Sequence, residues 1–166
     1  MKAFALTDRN FAVSYRNKPF ASIPAEQKLL FQEIQGKVIV YDIHFLSELP
    51  GKQPVKGATN YIFTDGSHEK VKGAFCFETL EELKSALSKE KDENILIIHG
   101  ASLYECFYDQ INIFHITKID YAYKADAYLK NLDEDPDFEI TRDSDELYCF
   151  DIIYQFLQYE RKRRIN

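Results

Sequence analysis

Asn94-Ile-Leu-Ile-Ile-His-Gly-Ala-Ser-Leu-Tyr-Glu-Cys-Phe107 is the stretch that decides the fold of this chain. Ile95 to Ile98 is an unbroken apolar run, short enough for a strand buried on both faces. It stops at the small residues of His99-Gly-Ala-Ser102, and Leu103, Tyr104 and Phe107 then recur at helical spacing. The spacing predicts a buried strand that feeds directly into a helix. The start of a helix collects unpaired backbone N–H groups and the positive pole of the helix dipole, an arrangement that suits a phosphate. Many strand–turn–helix junctions bind nothing, so the rest of the chain must say whether this one does.

The chain has 166 residues, of which 45% are hydrophobic and 29% charged, the balance of one soluble globular domain spanning residues 1–166. A net charge of −6 argues against nucleic acid. The basic run Arg161-Lys-Arg-Arg164 reads as a solvated tail beside a last strand. Cys76, Cys106 and Cys149 are widely spaced, with no CxxC pair, which predicts reduced thiols, no metal site and a cytoplasmic setting. The N-terminus has no signal-peptide pattern, and no apolar run is long enough to span a membrane.

Outward from the opening stretch, strands and helices alternate. Lys2–Leu6 reads as a first strand and residues 8–23 as a long loop. Pro24 opens a helix in which Glu26, Leu30 and Ile34 share one face, with Leu29 beside them. Glu26 thereby sits in the first turn, either complementing the dipole at the rim or facing an apolar interior, where its pKa would rise. Lys37–Tyr41, Asn60–Thr64 and Gly73–Phe77 read as strands, and His44–Leu49 as a short helix. Thr79-Leu-Glu-Glu82 is a capping box ahead of a helix with Leu80, Leu83 and Leu87 on its buried stripe. A strand over Ile111–Ile119 places Ile113, His115 and Thr117 on one face. His115 has no second ligand at metal spacing and reads as an ordinary strand histidine. Phe138–Thr141 and Leu147–Tyr159 form a C-terminal antiparallel hairpin. The expected fold is α/β, a mixed, mostly parallel central sheet flanked by helices.

In that order the local strings resemble dihydrofolate reductase nearly end to end. Asn17-Lys-Pro-Phe-Ala-Ser-Ile-Pro-Ala-Glu26 is similar to the family's N-x-L-P-W-x-L-P-x-D/E. Leu49-Pro-Gly-Lys-Gln-Pro-Val-Lys-Gly-Ala-Thr-Asn-Tyr-Ile-Phe-Thr64 resembles L-P-G-x-x-L-x-x-R-x-N-I-V-L-T. Ile97 to Tyr104 resembles I-G-G-x-x-I/V-Y, and Ile116–Ile119 and Tyr154–Lys162 resemble the last strands. The resemblance implies a dihydrofolate-reductase-like fold and NADPH-dependent reduction of 7,8-dihydrofolate by a cytoplasmic monomer whose partner is a folate or pterin small molecule. It implies that Glu26 is the carboxylate that helps protonate the pterin, and that Leu6, Leu30, Leu49, Ile98, Tyr104 and Thr117 contact the substrate. Val13, His44, Thr64, His99, Gly100, Ala101, Ser102 and Leu103 fall on the cofactor side.

The chain also departs from the family's pattern. Ala58 stands where an arginine pairs with the folate α-carboxylate, a contact whose loss weakens folate by about tenfold to a hundredfold unless Lys52 or Lys56 substitutes. Asp42-Ile-His-Phe45 replaces the phosphate-gripping G-R-x-T. Ser14 and Ala21 replace a glycine and a tryptophan of the loop over the nicotinamide, and Ala125-Asp-Ala127 replaces G-D-T. His99-Gly100 replaces a glycine pair that the family joins by a cis peptide. Two alternatives therefore stand beside the reductase: a weak or silent paralogue serving as a binding or regulatory protein, and a reductase of another pteridine or riboflavin-precursor substrate.

Overall fold

A computed structural model describes residues 1–163; Arg164, the last residue of the basic run, lies outside the described residues. The strand read from Ile95–Ile98 is β6 (Ile95–His99), and it lies near the centre of a nine-stranded mixed sheet. Its neighbours are β1 (Lys2–Thr7) and β3 (Val38–Asp42), both parallel to it. Beyond β3 come β4 (Thr59–Phe63) and β5 (Ala74–Phe77), again parallel. On the other flank β1 pairs with β7 (Ile113–Ile119) in parallel, and β7 pairs with the long last strand Ile152–Arg161 in antiparallel sense.

Alternation along the buried strands supplies two cores. Val38, Val40, Ile95 and Ile97 point to one face, where α2 (Leu80–Leu87) and α3 (Ala101–Cys106) contribute Leu83, Leu87, Leu103 and Tyr104. Ile39, Tyr41, Leu96 and Ile98 point to the other, covered by Leu30 of α1 (Pro24–Glu33) and by Ile34 at its C-cap. Each fully buried aliphatic side chain contributes about 1.5–3 kcal/mol, so Leu30 and Ile34 anchor a helix that has no side-chain N-cap. Thr79 caps α2 by accepting from the Glu82 N–H, as the capping box predicts.

Several local expectations are corrected. Residues 8–23 are not wholly loop: Ala12–Ser14 is a strand, β2, pairing with β8 (Ala127–Tyr128) as a two-stranded ribbon. The buried Asp8 organises it, its carboxylate accepting from the N–H groups of Asn10, Ala12 and Tyr123. Leu29 does not join the apolar stripe; it is 44% exposed. His44 lies in a 3₁₀ helix, Ile43–Glu48, not an α-helix. The C-terminal run is broken at Phe150 (φ 55°), so that β10 (Leu147–Cys149) folds back on β11 (Ile152–Arg161), which also pairs with β9 (Phe138–Asp143). Arg161 is not a solvated tail residue. Its guanidinium lies 4.5 Å from the Phe138 ring centroid and donates to the carbonyls of Tyr108 and Ile111. The His99–Gly100 peptide is trans.

A cleft where neighbouring strands part

The position of the site follows from the register of β1. Lys2 and Ala3 pair with Leu96 and Ile97 of β6, and there the pairing with β6 ends. Phe4 to Thr7 continue along β7 alone, while β6 stays with β3 through a register shift at Val40/Tyr41. Parallel strands that separate at their carboxyl ends leave a crevice, the usual place for a ligand in an open α/β sheet. The Phe4 carbonyl, left without a β6 partner, accepts from the Tyr104 hydroxyl.

A cleft of about 210 Å³ occupies that gap. β1 and β6 contribute Leu6, Ile98 and His99, and α3 contributes Tyr104. Val13 comes from β2, Glu26 and Leu30 from α1, and Leu49 from the end of the 3₁₀ helix. Eight of the residues expected from the sequence thus meet at one place, although they come from six segments. The wall also holds Gln27, Phe31, Phe45, Glu48 and Pro50. Gln27, Phe31 and Glu48 are wall residues that the sequence did not single out, their only signal being adjacency to Glu26, Leu30 and Leu49; Phe45 is marked there only as the end of the altered phosphate motif.

Glu26 stands between this cleft and a second cavity of about 230 Å³ behind α1. The second cavity is where Thr117 lies, with His115, Phe4 and Arg142. Thr117 therefore shares this second cavity with Glu26 and does not line the main cleft. His115 stacks on Phe4 at 4.6 Å, and burial, then the nearby Lys2 charge, holds its pKa below the usual histidine value. The Glu26 carboxyl has no compensating partner among the described residues, and burial alone pushes its pKa from 4.5 up to about 7. A carboxyl of that pKa carries a proton about half the time at neutral pH, the condition for a general acid.

The junction after β6 is built differently from a phosphate cradle. Asp42, at the end of β3, accepts from the Phe45 N–H and lies 3.3 Å from His99 Nδ1. The His99 ring in turn stacks on Phe45 with centroids 4.7 Å apart. Burial alone would raise the Asp42 pKa, but the bond to His99, the charges of His99 and His44 and the Phe45 N–H outweigh it and lower the pKa. A Cβ built on Gly100 would lie 3.1 Å from Asp42 Oδ2 and 3.1 Å from Leu103 Cδ1, so a carboxylate and an aliphatic side chain fill the space over the glycine. Of the other cofactor-side positions, His44 is exposed and Thr64 is buried with its hydroxyl donating to the Ser67 carbonyl at 2.6 Å. Ser102 is exposed, Ala101 borders a shallow hollow beside Tyr108, and the Leu103 side chain belongs to the core. These five residues do not gather with the cleft.

A mixed sheet whose first and sixth strands part beside a half-buried helix-borne carboxylate places the chain among α/β proteins with a crevice at the carboxyl ends of their strands. The chain matches the family model "Dihydrofolate reductase" over residues 1–161. It belongs to the dihydrofolate reductase family. Its fold is similar to that of dihydrofolate reductase from Enterococcus faecalis complexed with NADP(H) and RAB-propyl, with a TM-score of 0.78 at 14% identity, covering 98% of this chain and 96% of that one. No described helix is long and apolar enough to cross a membrane.

Proposed function

We propose that this protein is a pterin reductase of the dihydrofolate reductase type, with Glu26 as its proton donor and NADPH as its hydride donor. The observation that carries the reading is Glu26 on the wall of the cleft, half-buried and without a compensating partner among the described residues, with its pKa at about 7. A flat heterocycle fits between Leu6, Leu30, Leu49 and Ile98, and its amino and ring-nitrogen groups can meet the Glu26 carboxyl on the same wall. Reduction of the ring C=N bond adds a hydride to carbon and a proton to nitrogen. Glu26 holds that proton where water has limited access, and Tyr104, fixed by its bond to Phe4, closes the floor beside it.

For NADPH, which family membership and the NADP(H) in the Enterococcus relative support, the fit is uneven. Val13, Ile98 and Tyr104 offer an apolar surface for a nicotinamide ring, to which NADPH would bring the hydride. The phosphate end fits poorly: Asp42 is an anion held over Gly100, Ile43 offers no guanidinium, and His44 is solvated. NADPH is therefore expected to bind at least about tenfold more weakly than at an intact site, the cost of one charge-assisted contact. Sub-micromolar affinity by calorimetry would contradict this. The protein is proposed to act as a cytoplasmic monomer.

The test is spectrophotometric, following NADPH consumption with a dihydropterin. Activity should fall as pH rises through about 7, as Glu26 loses its proton, and Glu26→Gln should lower kcat by about 100-fold or more. A Glu26→Gln variant that retains wild-type kcat and pH profile would refute the assignment.

A further inference from the structure

The charges around the cleft say more about the substrate than the carboxyl at its base does. Among the described residues that line it, not one is a lysine or arginine. The ionisable groups there are Glu26, Glu48, His99 and Tyr104; the His99 ring is already engaged with Asp42, and the Tyr104 hydroxyl with the Phe4 carbonyl. Glu48, an exposed residue of the lining, neighbours Leu49 and Pro50 in sequence, and Gln27 and Phe31 of α1 line the same cleft. Ala58, further along the chain, packs against the apolar cluster of Leu30 and Leu49 and presents no charge. The nearest cations in sequence to the lining residues, Lys18, Lys28 and Lys52, are exposed and stay out of the cleft. A solvated lysine outside the cleft contributes little to holding an anion within it.

Size points the same way. About 210 Å³ is less than the ~300 Å³ at which pockets for drug-sized ligands begin, and it is adequate for a two-ring heterocycle. A ligand carrying an aminobenzoyl group and two carboxylates would have to extend beyond the cleft, whose lining has no cation to receive it.

We infer that the substrate is a dihydropterin without an anionic tail, so that the cleft selects for a neutral or protonated bicyclic ring and against carboxylates. This rests on the proposed pterin-reducing function and narrows it. The neutral ring meets no repulsion from Glu26 or Glu48, and a ring that gains positive charge as it is protonated is favoured by both.

The experiment compares three ligands with the same ring and rising charge: 6-methyl-7,8-dihydropterin, 7,8-dihydropteroate and 7,8-dihydrofolate, titrated calorimetrically into the intact chain at low and moderate salt. The expected result is that the methyl compound binds at least as tightly as the other two, and that the deficit of dihydrofolate shrinks as salt screens Glu48. Glu48→Lys, at an exposed position, should raise the affinity for dihydrofolate relative to the methyl compound by about two- to fivefold. Dihydrofolate binding tenfold or more tighter than the methyl compound would overturn the inference while leaving the pterin reading in place. Failure of all three ligands to bind, in a chain shown to be folded by circular dichroism, would overturn both.

Discussion

Glu26→Gln should stabilise this protein at neutral pH while removing its activity, and the size of the gain can be worked out. Burial without a compensating partner lifts the Glu26 pKa from 4.5 to about 7. At about 1.4 kcal/mol per unit, the charged carboxylate costs the folded state about 3 kcal/mol relative to an ordinary glutamate. The sign follows from proton binding. Between the two pKa values the folded state holds a proton that the unfolded state has released, so stability falls as pH rises through this window. Below about pH 4.5 both states are protonated and the penalty vanishes; above about pH 7 it is fully present. Glutamine has the same shape and no charge, so it should match wild type in acid and exceed it by up to about 3 kcal/mol above neutrality. Urea denaturation of both proteins at about pH 5 and about pH 8 reads this directly, provided m does not change. A glutamine variant less stable than wild type at the higher pH, or a difference independent of pH, would refute the claim that Glu26 is buried without a partner. A stability gain joined to a loss of kcat is the pattern expected of a functional residue held at a cost to the fold.

Three further outcomes follow from particular contacts. Asp42→Asn keeps an acceptor for the Phe45 N–H and removes the anion over Gly100, so NADPH affinity should rise by about tenfold in a calorimetric titration; no change would mean that the phosphates do not approach this junction. Gly100→Ala places a methyl 3.1 Å from both Asp42 and Leu103 at a φ of +118°, and should destabilise by about 1–3 kcal/mol in denaturant. Arg161→Ala removes the donor to the Tyr108 and Ile111 carbonyls and the cation over Phe138 and should cost about 2 kcal/mol, whereas a solvated tail arginine would cost close to nothing.

Local pattern was enough for the scaffold. The apolar run of β6, the Pro24 start of α1, the capping box of α2 and the alternation along β7 each depend on neighbours within a few residues, and those are visible in sequence. Glu26 and Leu30 could be placed on one helix face for the same reason. What escaped was built from distant partners. β2 exists because Asp8 binds backbone N–H groups as far away as Tyr123, and nothing in residues 8–23 alone reveals that.

The opening stretch, Asn94 to Phe107, divides along the same line. Its sequence determined a buried strand, a small-residue turn and a helix start, because hydrophobic period and residue size act locally. Whether that helix start faces a phosphate was decided by tertiary structure. Asp42, 57 residues before His99, brings its carboxylate over Gly100, and Phe45 takes the His99 ring against its face. Likewise the sequence supplied a carboxylate at position 26, but only the parting of β1 from β6 made a cleft for it, and only burial there raised its pKa into the range where it can give up a proton at neutral pH. Charge and desolvation depend on what surrounds a group in space, and a chain discloses that only once it has folded.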